Sequence, residues 1–162
     1  MANTNEPRGA YPATAKTKIN YYVMGATAIY PGDFVVFNSG GKVTVAAAGG
    51  TQLLGVSAAY RAANGADVPV YDDPDQLYWI QDDGVSATLA QTSVGNNFDI
   101  VATAANTTML KSKHMLDTSD TSAAATANLR LLQLHPSDEV GKYVRCLVAI
   151  NEHTFAKKTG GV

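Results

Sequence analysis

Phe34-Val35-Val36-Phe37-Asn38-Ser39-Gly40-Gly41-Lys42-Val43-Thr44-Val45 reads as a complete hairpin. An apolar run, a turn of Asn, Ser and Gly, and an alternating return predict two antiparallel strands. The same pattern continues outward. Residues 51–59, through Leu53, Leu54 and Val56, read as the next strand, after a flexible joint at 46–50. Asn64-Gly65 is a turn, and residues 67–71 form a strand containing Pro69. Proline cannot donate to a ladder, so this strand is expected at a sheet edge. Residues 77–81 follow and close on Asp82-Asp83-Gly84; runs at 85–90, 98–102, 129–134 and 143–151 complete the set. Short strands with frequent turn signals predict an all-β fold, a small antiparallel β-barrel or sandwich with long loops.

Two stretches lack this pattern. Residues 1–21 are rich in Ala, Thr, Asn, Pro and Lys, without an apolar period, and read as an extended N-terminal arm. Such a segment does not bury enough surface to offset its backbone entropy alone. It is either a disordered tail or an arm that orders on a partner. Residues 104–128 are Ala-, Thr- and Ser-rich and read as long loops with a short strand around 109–111. A single β-rich domain over 22–156 and a flexible C-terminal tail over 157–162 make up the rest.

Composition narrows the function. The 162 residues suit one domain, and 46% hydrophobic content is enough for a core. Charged residues are only 16%, so the surface must be mostly small and polar. A pI near 5.8 argues against a nucleic-acid partner. No apolar run is long enough to cross a bilayer, so no membrane partner is expected. The first residues lack a basic segment leading into an apolar one, so no signal peptide is expected, and folding is placed in a cytoplasm. The lone Cys146 excludes an intramolecular disulfide and is expected to be buried.

Catalytic signals are weak. His114, His135 and His153 have no nucleophile motif near them, and no Gly-rich phosphate loop is present. Asp72-Asp73-Pro74-Asp75 and Asp82-Asp83 flank one strand and read as turn chemistry, with a calcium site as the alternative. Tyr78 and Trp79 should face opposite sides of their strand, one in the core and one at the surface. No catalytic residue, cofactor or metal is expected.

Certain segments resemble a known family. Tyr30-Pro31-Gly32-Asp33-Phe34-Val35 followed by Leu53-Leu54-Gly55-Val56-Ser57-Ala58 resembles small strand-rich proteins encoded beside the major capsid protein of tailed bacteriophages. The segment from Leu129 to Gly141, followed by Val148-Ala149-Ile150-Asn151-Glu152-His153-Thr154-Phe155, is similar to the closing segment of phage capsid decoration, or cement, proteins. The residues have a physical reading of their own. Pro31-Gly32-Asp33 is a tight turn launching a strand, and Gly55 permits a bulge or close backbone approach. Residues 136–141 reverse the chain between two long strands. Ile150 and Phe155 are expected to anchor the core, with 151–153 capping the strand.

The resemblance implies a structural virion protein on the outer surface of an icosahedral head, assembled in a bacterial cytoplasm. Its implied partners are the major capsid protein and itself, as a homo-oligomer with trimers favoured. Candidate contacts are Arg8, Tyr11, Pro12, Tyr21, Tyr22, Met109 and His114. The alternative is a carbohydrate- or surface-binding module of a phage tail or fibre, using Tyr71 and Trp79.

Overall fold

Strands form where short Val-, Leu- or aromatic-rich runs lie between turn residues. In a computed structural model, residues 2–49, 52–85, 88–119 and 127–156 are described. Along the chain the strands are β1 (Tyr11–Pro12), β2 (Ile19–Tyr22), β3 (Phe34–Phe37), β4 (Val43–Val45), β5 (Gly55–Ser57), β6 (Val68–Tyr71), β7 (Leu77–Gln81), β8 (Asn97–Phe98), β9 (Ile100–Val101), β10 (Met115–Leu116), β11 (Leu129–Leu134) and β12 (Arg145–Ile150). One five-stranded sheet runs β1-β7-β12-β11-β8, a second runs β2-β6-β5-β3-β4, and β9 pairs with β10. All strand pairings are antiparallel.

The main core lies between the sheets. Phe34 and Val56 from the second meet Tyr78, Ile80, Leu131 and Val148 from the first. The Phe34 and Tyr78 rings meet edge-on, 6.2 Å between centroids. A smaller core on the other face of the second sheet holds Val35, Val43, Leu54, Val68 and Val70 under Met24 and Ile29. Thus β3 is buried on both faces, which explains its unbroken apolar run. The architecture is sandwich-like, and among the described residues no barrel closes. The second sheet curls until Met24, just past β2, makes one parallel bridge to Val43 on the opposite edge.

Local chemistry sets the turns. Asp33 N–H donates to the Tyr30 carbonyl at 3.0 Å, with Gly32 at φ +91°. That is a type II arrangement, in which glycine accommodates the positive φ. In the β3–β4 hairpin, Asn38 Oδ1 accepts from the N–H groups of Gly40 and Lys42 at 2.9 and 3.0 Å. Gly55 lies so close to β6 that a Cβ there would come within 1.9 Å of the Tyr71 carbonyl oxygen.

Several expectations need correction. Pro69 sits inside the second sheet, because β2 covers β6. On its other side Pro69 faces Ala58, one residue beyond β5, where the ladder has already ended; Ala58 N–H donates to the Pro69 carbonyl at 2.9 Å. The strand expected over 51–59 is only Gly55–Ser57, and Leu53 makes a single bridge to His153. In 85–90, Leu89 makes one bridge to Gly141, Val85 is exposed, and Ser86 and Ala87 lie outside the described residues. Residues 109–111 belong to a turn closed by Asn106 and Lys111; the strand of this region is β10. Phe155 is exposed, whereas Ile150 does join the core. The tail expected over 157–162 lies outside the described residues.

Candidate interaction surface

The N-terminal segment is extended, and it orders on its own chain. Asn3 Nδ2 donates to the carbonyls of Glu139 and Lys142 at 2.8 and 3.0 Å. Its Oδ1 accepts from Glu139 N–H at 3.1 Å. Glu6 N–H donates to Gln81 Oε1 at 2.9 Å, and Gln81 Nε2 donates to the Thr4 carbonyl at 2.8 Å. Further along, Ala10 N–H donates to the Gly32 carbonyl and Ala13 N–H to the Leu77 carbonyl, both at 2.9 Å. Gly9, at φ +71°, threads a gap in which a Cβ would come 2.4 Å from the Gly32 carbonyl oxygen. Side-chain and backbone hydrogen bonds therefore replace the apolar period that the segment lacks.

Three adjoining grooves border this docked segment. One of about 240 Å³ lies among Asn3, Glu6, Tyr11, Asp138 and Arg145. A second of about 420 Å³ is lined by Arg8, Tyr11, Pro12, Pro31, Tyr71 and Lys111. A third of about 350 Å³ is lined by Pro7, Arg8, Asn106, Met109, Lys111 and Lys113. Arg8 and Lys111 belong to both of the last two. The Asn106 turn lifts Met109 into solvent: Asn106 Oδ1 accepts from the N–H groups of Thr108 and Met109 at 3.1 and 3.0 Å.

The structure thus brings together Arg8, Tyr11, Pro12 and Met109. Lys111 and Lys113, which the sequence reading did not select, complete the same surface. Arg8 is shared with Glu6 in an exposed ion pair at 2.7 Å, which contributes little to stability. Tyr21 and Tyr22 lie elsewhere, on β2 at the edge of the second sheet. Tyr21 is exposed. Tyr22 is half-buried, stacks edge-on against Phe37 and donates its hydroxyl to Asp72. Burial and the Asp72 carboxylate push that hydroxyl's pKa up.

His114 corrects the expectation of a surface contact, since it is buried at 2% exposure. Its Nδ1 accepts from Phe34 N–H at 3.2 Å, and its Nε2 is 3.6 Å from Asp33 Oδ1. Burial lowers its pKa, with Asp33 opposing the shift. His153 is also buried, accepts from Phe155 N–H at 3.0 Å through Nδ1, and has its pKa lowered by burial. His135 lies beside Arg145 at 3.1 Å and under Trp79, with ring centroids 4.9 Å apart. Arg145 Nε also donates to Asp138 Oδ2 at 3.0 Å, and this hydrogen bonding lowers the Asp138 pKa. Cys146 is buried, which pushes its thiol well above its usual range.

The acidic pairs are tied into the fold. Asp82 Oδ1 accepts from the N–H groups of Gly84 and Tyr143 at 2.7 and 3.0 Å, and its Oδ2 accepts from Val144 N–H. Asp83 holds Thr118, Asp72 holds Asn20 and Tyr22, and Asp73 Oδ1 accepts from Asp75 N–H. Among the described residues, no group of three or more His, Cys, Asp or Glu side chains is placed to hold a metal. Tyr78 is buried and Trp79 half-buried, as their alternation requires. Tyr71 and Trp79 stand in different sheets, and Tyr71 lines a groove that Trp79 does not reach.

Compared with known proteins, the sequence matches no family model and no curated protein.

Proposed function

We propose that this chain is a non-enzymatic structural virion protein. It binds the outer surface of an icosahedral phage head, stabilises the lattice of major capsid proteins and self-associates there, in trimers as the resemblance implies. The observation that carries the reading is the surface along the docked N-terminal segment. There, three grooves, an exposed methionine and the cations Arg8, Lys111 and Lys113 adjoin one another. The surface is divided among three half-open grooves and is not gathered into one enclosed pocket of the kind that takes a small ligand. Weak contacts of this kind gain strength when many copies bind one lattice.

The test is quantitative mass spectrometry of purified particles from the phage that encodes the chain, repeated on tail-free heads. A fixed simple ratio to the major capsid protein, retained without tails, is expected. A few copies lost with the tails would favour a tail module, and absence from particles would contradict the proposal. The double variant K111E/K113E should lower occupancy on heads while leaving the fold intact.

A further inference from the structure

Sheet edges expose unpaired backbone groups that recruit other strands, and proteins usually blunt them. In the first sheet, β1 and β8 are each two residues long, and β1 ends in Pro12. In the second sheet, β4 is covered at Val43, which donates to the Val23 carbonyl at 2.9 Å and accepts from Gly25 N–H at 2.7 Å. The other edge, β2, is four residues long. Ile19, Tyr21 and Val23 expose 40%, 67% and 55% of their surface in strict alternation.

The register fixes which backbone groups of β2 are free. Ala58 N–H donates to the Pro69 carbonyl, so Pro69 and Tyr71 turn their backbone groups toward β5. Val68 and Val70 therefore turn theirs toward β2, where they face Tyr22 and Asn20. Ile19 and Tyr21 are left with N–H and C=O pointing away from the sheet.

We propose that β2 pairs with β2 of a second copy of this chain, antiparallel, about a two-fold axis centred on Asn20. In this register Ile19 faces the partner's Tyr21, and Tyr21 faces the partner's Ile19. Each of these pairs exchanges both N–H···O bonds, using the free groups alone. Each also sets an exposed isoleucine against an exposed tyrosine on the same face, a favourable cross-strand pair. Lys18 meets the partner's Tyr22, so no like charges are opposed, and the pairing ends there because Val43 covers the edge beyond Tyr22. Centring the axis on Tyr21 would require the edge at Val23, which Val43 already occupies. The interface is self-complementary, as a two-fold contact must be. The strip is far smaller than a stable interface of about 1,200–2,000 Å², so free dimers should form only at high concentration. This inference stands apart from the capsid reading and does not depend on it.

The test is cross-linking by register. I19C and Y21C are prepared separately; both positions are exposed, and Cys146 is buried, so circular dichroism should match the parent. Facing residues in a hydrogen-bonded pair sit about 5.5 Å apart at Cα, within disulfide reach. Oxidation of the mixed variants should give a disulfide-linked dimer, and either variant alone should give at least about tenfold less. Sedimentation equilibrium of the parent should show mass rising with concentration, and I19K/Y21K should abolish the rise. Cross-linking as strong in Y21C alone would overturn the register. A parent monomeric at every concentration and uncrosslinked in the mixture would overturn the proposal and leave the edge to another protein. Trimers that gain no further mass with concentration and give no cross-link in the mixture would overturn it as well.

Discussion

The closing hairpin and the N-terminal segment occupy the same sheet and become ordered by different physical routes. In the hairpin, β11 and β12 alternate inward and outward, and Leu129, Leu131, Cys146, Val148 and Ile150 enter the main core. Its order comes from apolar surface removed from water. Residues 2–13 of the N-terminal segment contribute only Ala10 to that core and two residues of strand, Tyr11–Pro12, against β7. Its order comes from hydrogen bonds to positions far along the chain, such as Asn3 to Glu139 and Glu6 to Gln81. The first route is cooperative with global folding. The second can open while the rest stays folded.

Substitutions should separate the two. Leu131→Ala removes a fully buried side chain from the hairpin and should cost about 2–5 kcal/mol, shifting the whole denaturant transition. A transition unchanged within error would break the contrast. Gly9→Ala combines a positive φ with a Cβ overlap against Gly32 and Ser112, and should cost about 1–3 kcal/mol. Its signature is selective: amide exchange should accelerate at Ala10 and Ala13 and stay slow in β11 and β12. Equal acceleration in both would mean that the segment and the hairpin open as one unit.

Acid should weaken the fold through the buried histidines. His114 and His153 have folded pKa values below the ordinary 6.5 because burial disfavours their charged forms. As pH falls below about 6.5 the unfolded chain therefore takes up protons first, and stability is full above that value and declines beneath it. The lowered pKa of Asp138 acts in the same direction at lower pH, as its carboxylate is protonated away from Arg145. Urea midpoints compared at pH 7.5 and 5.5 should be lower at 5.5. A midpoint that rises on acidification would mean that Asp82, whose pKa burial raises and which acts in the opposite sense, outweighs both rings. Smallest of all, Asn3→Ala should cost at most about 1 kcal/mol, since its bonds are exposed to water, and should loosen only the segment's start. Thermal denaturation and amide exchange at Glu6 would measure it.

The hairpin at 34–45 and the turn at Pro31-Gly32 are legible because each is local, and Gly55 reads as a place for close backbone approach, though the partner it approaches, Tyr71, is not. The buried run from Ser112 to Thr118 was not. There Ser112, His114, Leu116 and Thr118 face inward while the residues between them are more exposed, which is strand-like alternation carried mostly by polar side chains. Read for polarity and not for period, the run resembles a loop and His114 an accessible side chain. Pro69 misled because its cost depends on whether a partner strand continues opposite it. Arg8, Tyr11, Pro12 and Met109 read as residues fit to dock, and in the structure they line adjoining grooves. Lys111 and Lys113 carried no signal of their own, since only the Asn106 turn brings them beside Arg8.

The proposed contact surface exists only if residues 2–13 are docked on their own chain. Native-state hydrogen exchange on the full protein tests this most directly. Amides of Glu6, Ala10 and Ala13 should be protected well above random-coil rates, yet exchange faster than those of β11 and β12. Random-coil exchange throughout 2–13 would dissolve the grooves around Arg8 and contradict the account.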